Sequence, residues 1–367
     1  MNDRFSRLAA RVAALDAAGL RRQLRRVEPL SAATARVNGR EMLQFCSNDY
    51  LGLAEHPEVR AAFSRGGGAG SARLVSGNRP AHDALEAALS EHFGRPATLF
   101  PSGFQANLGL LTTVLEAGDL AASDALNHAS IIDGLRLSKA ERVVLEHGKP
   151  ERVPVGARLA VTESLFSMDG DVADLAAWTG GHWLAVDEAH AVGTLGPHGR
   201  GAAAAQGIEP DFLVGTLGKA YGSAGAFVIG PPALRELLVS TARAFVYTTG
   251  MPEPVAHAAL AGLRLATDER RERLAANALR LRTGLLDLGL PVLGSAHIVP
   301  VLTGDTTMAV AARLAESGIF APGIRYPTVA RGQERVRLTV CSEHTTEQID
   351  RCVEAMGRAV RFAAINA

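Results

Sequence analysis

A rhythm that begins near residue 80 constrains the fold more than any other feature of the chain. Short apolar runs with a β-branched or aromatic bias, Ala97–Phe100, Val143–Leu145, Arg158–Thr162, Trp183–Val186 and Phe212–Val214, alternate with amphipathic stretches at Pro80–Phe93, Gln105–Leu115 and Ser130–Leu137. Strands written as continuous apolar runs are covered on both faces, and strands separated by helices are joined by crossovers. The pattern therefore predicts an α/β architecture with a mostly parallel central sheet and flanking helices. Ala226–Ile229 follows Val214 too soon for a helical crossover and is expected to run antiparallel to its neighbour.

The pattern changes on either side of this block. Leu8, Val12, Leu15 and Leu20 recur at helical intervals, so the first segment is expected to form a helix lying over the body. Ala35–Phe45 alternates around Asn38-Gly39, a hairpin signal because both turn residues tolerate positive φ. After Pro252, helical stretches at Glu253–Thr267 and Glu269–Leu288 lead into strand, helix, strand and a last helix from Thr345. The expected division is an N-terminal helix and hairpin over 1–45, a large α/β domain over 46–250 and a smaller α+β domain over 251–367.

Lysine plus arginine (38) equals aspartate plus glutamate (38), so no single-sign field draws the chain to nucleic acid or an anionic membrane. The arginines at 21, 22, 25 and 26 form a local cluster, read first as a solvated helix face. Cys46, Cys341 and Cys352 include no C-x-x-C pair, which fits a reducing cytoplasm and gives no metal knuckle. The start Met1-Asn2-Asp3-Arg4-Phe5-Ser6 lacks the apolar core of a signal peptide, and no apolar run is long enough to span a bilayer.

Several short motifs carry chemistry. Lys219 in Thr216-Leu217-Gly218-Lys219 falls just beyond a strand's carboxyl end, where open α/β sheets place ligands. Gly218, Ala220 and Gly222 leave little bulk beside it, which permits close approach of a planar ligand; a surface loop lysine is the alternative. Asp187 ends the run Leu184-Ala185-Val186 and is costly to bury without a charged or donating partner; a protonated pyridine nitrogen is one such partner, and a helix cap is the plain reading. His190 follows three residues later. The letters Asp187-Glu188-Ala189-His190 also spell a helicase box, but the required phosphate loop is missing: Leu213 stands where its first glycine would be and Ala220 follows the lysine. Phe100–Asn107 reads as strand, turn and helix start, whose N–H groups favour an anion, and Asn127-His128-Ala129-Ser130 opens another helix. Arg335 and Arg337 alternate on one strand face, suited to bidentate capture of a carboxylate or to an exposed edge strand.

In this order and spacing the motifs resemble the α-oxoamine synthase family of fold-type I pyridoxal-5′-phosphate (PLP) enzymes. The likeness runs from Asn48-Asp49-Tyr50-Leu51-Gly52-Leu53 through Ser76-Gly77-Asn78, Asn127–Ser130, Phe166–Asp171, Asp187–His190 and Thr216–Lys219 to Arg325–Val329 and Arg335–Thr339. The resemblance implies decarboxylative condensation of L-alanine with an acyl thioester of coenzyme A or acyl carrier protein. It makes Lys219 the Schiff-base lysine, Asp187 the partner of the ring nitrogen, His128 the histidine stacked on the ring and His190 the one bonding the phenolic oxygen. It assigns Gly103, Phe104, Ser167 and Thr216 to further cofactor contacts, Arg337 to the amino-acid carboxylate, and Arg21, Asn48 and Thr328 to the substrate side. Thr248 and Thr249, after Tyr247, match a segment that reaches the neighbouring subunit's cofactor, which implies a homodimer with sites at the interface. There are departures. Residues 147–158 lack much of a helix usual in the family, and Tyr326-Pro327 and the run Ser123–Ser130 look like a glycine-using member, leaving alanine against glycine open. A PLP-fold protein that binds without catalysis is the reading from a different class.

Overall fold

The computed structural model describes residues 4–365; Met1–Asp3 of the expected N-terminal unit and the last two residues of the C-terminal one lie outside them. The described chain begins with α1 (Ser6–Ala17) and the strands β1 (Val27–Pro29), β2 (Thr34–Val37) and β3 (Arg40–Gln44). Asn38 and Gly39, both at positive φ, close the expected hairpin between β2 and β3. Next come α2 (Pro57–Ala62), α3 (Pro80–Phe93), β4 (Ala97–Phe100), α4 (Gly103–Val114), β5 (Leu120–Asp124), α5 (Ala129–Leu137), β6 (Glu141–Leu145), β7 (Leu159–Glu163), β8 (Trp183–Asp187), α6 (Ala202–Ala205), β9 (Phe212–Thr216) and β10 (Ala226–Ile229). After α7 (Pro232–Thr241) and α8 (Arg243–Val246), the chain continues through α9 (Glu253–Leu265), α10 (Asp268–Asp287), β11 (Ile298–Leu302), α11 (Thr307–Glu316), β12 (Ile319–Phe320), β13 (Gly323–Ile324), β14 (Arg335–Thr339) and α12 (Thr346–Ile365).

The strands from β4 to β10 form one seven-stranded sheet in the order β4-β10-β9-β8-β7-β5-β6. The pairs from β9 across to β6 are parallel, and β10 runs against both of its neighbours, as its short connection requires. Side-chain alternation assigns each face. Phe212, Val214, Ala226 and Val228 pack with Leu110, Leu111, Ile131 and Leu238 from α4, α5 and α7. Leu213, Phe227 and Ile229 pack on the other side with Leu85, Leu89, Ala256 and Ala259 from α3 and α9. Full burial of a side chain such as Phe227 contributes roughly 1.5–3 kcal/mol, which is why these runs carry almost no polar residues.

The remaining strands make two smaller sheets. β14 lies between β11 and β13, so Arg335 and Arg337 sit on a central strand and are buried, which rules out the exposed edge strand. β12 adds in parallel to β3 and joins the N-terminal hairpin to the residues around 320. One expectation is corrected. The first helix forms, but Leu8, Val12 and Leu15 are exposed and α1 has no buried residue, so its apolar stripe is not sealed against the described body. No helix among the described residues is long and apolar enough to cross a membrane.

The parallel strands share one carboxyl edge, formed by Asp124, Glu163, Asp187 and Thr216, and the loops leaving it carry the chemistry. Lys219 sits in a tight turn there: Ser223 N donates to Leu217 O (2.9 Å) and Gly222 N to Lys219 O (3.0 Å). Against this turn lies the segment 48–54, itself pinned by Asp49, whose carboxylate accepts from Leu53 N (2.8 Å) and Ala54 N (3.0 Å). Gly222 is required by that contact. Its φ is +64°, and a Cβ would lie 2.5 Å from Ala54 N. At Gly218 the nearest atom would be 3.6 Å away. Gly222→Ala is therefore expected to cost roughly 2–4 kcal/mol of stability, and Gly218→Ala less than about 1 kcal/mol. Urea unfolding of the two variants checks this, and equal midpoints would refute the assignment.

Candidate active site

Lys219 Nζ lies 2.9 Å from His190 Nε2, and His190 Nδ1 lies 2.6 Å from the Tyr50 hydroxyl. Tyr50 OH also reaches Asn48 Oδ1 (3.1 Å), which accepts from Arg337 Nη2 (3.2 Å). Arg337 Nε donates to the carbonyl of Ser167. Lysine, imidazole, phenol, amide and guanidinium thus form one continuous chain from the end of β9 to the small sheet.

A second chain supports Asp187. Its Oδ1 accepts from Ala189 N (2.8 Å) and its Oδ2 from Asn107 Nδ2 (2.7 Å). Asn107 Nδ2 also contacts Ser130 Oγ (2.9 Å), which pairs with His128 Nδ1 (2.8 Å). His128 is the N-cap of α5 and its ring is exposed on the outer side of this chain. Glu163, on β7, is registered directly against Asp187 on β8; the two residues are 4% and 8% exposed.

Burial sets the charges. It lowers Lys219 to about 8, with Asp187 and Glu163 opposing the shift. It pushes Glu163 well above the usual carboxylate range, and the neighbouring Asp187 charge adds to the shift. It also drives His190 well below the ordinary imidazole value, reinforced by the Lys219 and Arg337 charges, so His190 is neutral. His297, packed edge-on to Tyr50 at 4.1 Å between ring centroids, is lowered to about 3 by burial and by Arg337.

The other sequence-predicted residues occupy three places. Gly103 and Phe104 form the first turn of α4, capped by Ser102 Oγ accepting from Gln105 N (3.2 Å). Thr216 donates to Gly225 O (3.1 Å) beside them, and Gln105 Nε2 donates to Thr248 Oγ1 (3.3 Å). Thr249 and Tyr247 are exposed. Arg21 and Thr328 lie apart from Lys219, in a cleft of about 500 Å³ lined also by Arg22, Arg25, Arg325 and Tyr326. Arg22, not Arg21, reaches Thr328 Oγ1 (3.0 Å); Arg21 pairs with Asp16 (2.9 Å). Tyr326 and Thr328 also line an adjoining cleft of about 330 Å³ that reaches Ser167.

Glu188, the second letter of the helicase-like box, is a structural anchor: it accepts from Ser164 Oγ (2.7 Å), Ala202 N (2.9 Å) and Ala203 N (2.7 Å). Sequence reasoning missed roles for Tyr50, Asn107, Glu163 and His297. The first two stood inside quoted motifs; Glu163 ended a strand in the same way as Asp187, the one signal that would have found it.

It also missed His147. The ring bridges two carboxylates, Nδ1 to Asp124 Oδ1 (3.0 Å) and Nε2 to Asp171 Oδ2 (3.0 Å), and these bonds hold its pKa up to about 10. Burial would raise Asp124, but His147 and the N–H groups of Leu126 and Gly148 outweigh it and keep Asp124 below its usual value. A histidine raised in the folded state stabilises fully below its unfolded pKa of about 6.5, and that contribution is lost as pH climbs through about 10. Charge-assisted bonds contribute roughly 1.5–3 kcal/mol, and partial exposure places this one near the lower end. His147→Gln should accordingly be less stable than wild type at pH 6, with the gap closing by pH 10; chemical denaturation across that range measures it, and a gap independent of pH would refute the charged bridge.

Comparison with known proteins follows the same lines. Residues 40–356 match the aminotransferase class I and II family. An 8-amino-7-oxononanoate synthase of Halorhodospira halophila is 44% identical, the alignment covering 98% of this chain and 96% of that one. A solved serine palmitoyltransferase from S. paucimobilis, with a bound PLP–myriocin adduct, superposes with a TM-score of 0.91 at 30% identity, covering 98% of each chain. A solved 8-amino-7-oxononanoate synthase from Francisella tularensis gives a TM-score of 0.76 at 30% identity, over 88% of this chain and 98% of that one.

Proposed function

The chain belongs to the aminotransferase class I and II family, and within it we propose that it condenses L-alanine with a pimeloyl thioester, releasing CO2 and the free thiol carrier and forming 8-amino-7-oxononanoate for biotin synthesis. The observation that carries this reading is Lys219 held on neutral His190 at the sheet's carboxyl edge, between the buried carboxylates and Arg337. Sequence relatives named as this synthase are 42–44% identical over most of the chain, while the solved synthase and the solved serine palmitoyltransferases alike share the fold at 30–32% identity.

The residues present fit PLP. The Asp187 carboxylate is buried beside Glu163, whose carboxyl burial pushes toward its protonated form, so a further donor or cation suits the space beside Asp187. The first turn of α4 offers N–H groups to a phosphate, His190 Nε2 suits a phenolic oxygen and Lys219 suits a carbonyl carbon. When bound, PLP supplies an electron sink that stabilises negative charge at the amino acid's Cα.

The chain's own residues then divide the work. Asp187, held by Asn107 and Ala189 N, is assigned to the proton on the cofactor's ring nitrogen, and exposed His128 to the ring's face. Gly103, Phe104, Ser167 and Thr216 line the remaining cofactor side. Arg337, oriented by Ser167 O and Asn48 Oδ1, binds the carboxylate of alanine until that carboxylate leaves as CO2. Lys219, lowered to about 8, takes the Cα proton at Nζ and later returns one. The acyl substrate is assigned to the cleft of Arg21, Arg22 and Thr328.

We also infer a homodimer. The exposed stripe of α1 and the exposed Tyr247 and Thr249 are surfaces that a second copy would cover, with Thr248 and Thr249 turned to its site. The free thiols Cys46, Cys341 and Cys352 suit a cytoplasmic location.

Purified protein should take up PLP and show its visible band, and borohydride should fix the cofactor to Lys219 in wild type but not in Lys219→Ala. Absence of uptake by wild type would end this reading. CO2 should leave alanine only when the thioester is present. Arg337→Lys, which loses the planar fork, should raise the KM for alanine roughly 10- to 100-fold with a smaller change in the KM for the thioester; equal changes in both would count against the clamp.

A further inference from the structure

The Tyr50 hydroxyl is fully buried within the site and has no part in the steps above. It lies 2.6 Å from His190 Nδ1 and 3.1 Å from Asn48 Oδ1, and the Arg337 guanidinium is a further donor beside its oxygen in both arrangements below. Burial pushes the phenol to about 12, so it remains a hydroxyl, with one proton to give and lone pairs to receive one. His190 has a partner at each nitrogen, Tyr50 at Nδ1 and Lys219 at Nε2, and as a neutral ring it has one proton to share between them. The charged and titratable groups around it are Lys219, Arg337, His297 and His128; the two cations disfavour a second proton on the ring.

Donor counting then fixes the arrangement. A protonated Lys219 has only donors, so Nε2 accepts, the ring proton lies on Nδ1 and points at the Tyr50 oxygen, and Tyr50 gives its own proton to Asn48 Oδ1. When the group opposite Nε2 is instead an acceptor, the ring proton must lie on Nε2. Nδ1 then accepts, and Tyr50 must turn its proton from Asn48 to His190. Both states are fully satisfied, and a hydroxyl is the group that permits both, since a carbonyl only accepts and an N–H only donates. The second state also leaves Asn48 Oδ1 to Arg337 alone.

We propose that Tyr50 is a positioning residue acting through His190: its hydroxyl turns between Asn48 Oδ1 and His190 Nδ1, so that Nε2 accepts from Lys219 in the cofactor-free protein and donates to the phenolic oxygen when PLP is bound. The second half rests on the PLP reading; the first half does not. Tyr50→Phe keeps the ring against His297 and removes only the hydroxyl.

The test is nitrogen NMR of 15N-histidine-labelled protein, with the His190 signals assigned by their loss in His190→Gln. In wild type the proton is expected on Nδ1 without cofactor and on Nε2 with PLP. In Tyr50→Phe the tautomers, set by the group opposite Nε2, should persist, but the Nδ1 signal should shift in both states because that nitrogen loses its partner, and the pH at which the visible cofactor band changes should move upward by roughly 0.5–1 unit as His190 holds the phenolic oxygen less firmly. A wild-type His190 that keeps one tautomer in both states overturns the proposal, as does a Tyr50→Phe protein with an unchanged Nδ1 signal and midpoint. If that variant does not fold, the wild-type comparison alone decides. Failure to take up PLP would instead refute the cofactor assignment, leaving the cofactor-free tautomer as a separate measurement.

Discussion

Burial of Asp187 at the end of β8 is the constraint on which the rest of the site depends. An ionised carboxylate in an apolar sheet is unfavourable by several kcal/mol unless donors surround it. The chain meets that demand from two directions, with Ala189 N in the loop that follows and Asn107 from the second turn of α4. Asn107 in turn meets Ser130, and Ser130 meets His128, so one carboxylate fixes the relative placement of α4, α5 and β8. Those elements carry the helix start, the imidazole proposed for the ring's face and the carboxylate proposed for the ring nitrogen respectively. The electrostatic demand of a single residue therefore orients most of the proposed cofactor site.

Lys219 is governed by the same field seen from the other side. The carboxylates hold its proton while burial and Arg337 release it, and the balance near 8 leaves a lysine that exchanges protons readily near neutral pH. His190 cannot compete for that proton, because the same burial and the same cations keep it neutral. The separation of roles, a lysine that changes charge and a histidine that does not, comes from their environments and not from their residue types.

Much of this was legible in the sequence, and what was not has physical reasons. The strands of the large sheet were readable because burial on both faces demands uninterrupted apolar runs. β5 was not, since Leu120-Ala121-Ala122-Ser123-Asp124 is built of small residues that carry no β-branched signal. Lys219, Asp187, His190 and Arg337 were marked by their places at strand ends or along a strand. Tyr50 was not singled out, because its partner His190 is 140 residues away and only the fold brings the 48–54 turn against the lysine turn. The stripe on α1 was readable as a helix but not as one left uncovered, since periodicity reports that a face is apolar and not what lies on it. Arg21 and Arg22 are adjacent in one cluster, and only backbone direction decides which of them reaches Thr328.

The connection between β6 and β7 is short, and the loop that follows β7 is held by contacts from other parts of the chain. Only a single 3₁₀ turn, Pro150–Arg152, stands in the connection, and no residue of the loop 166–171 is exposed. The loop is fixed from two sides. On one side the His147 ring bonds to Asp171 and packs edge-on against Phe166, with 4.5 Å between ring centroids. On the other, Arg335 bonds to Asp169 Oδ1 (2.5 Å) and Arg337 to the Ser167 carbonyl, both from the central strand of the small sheet. A cation on each flank thus holds a loop whose backbone carbonyl orients Arg337, the proposed carboxylate clamp. Those contacts come from β14 and from the residue that follows the β6 strand by two positions, so the groups that position Ser167 and Arg337 do not depend on the 148–158 connection.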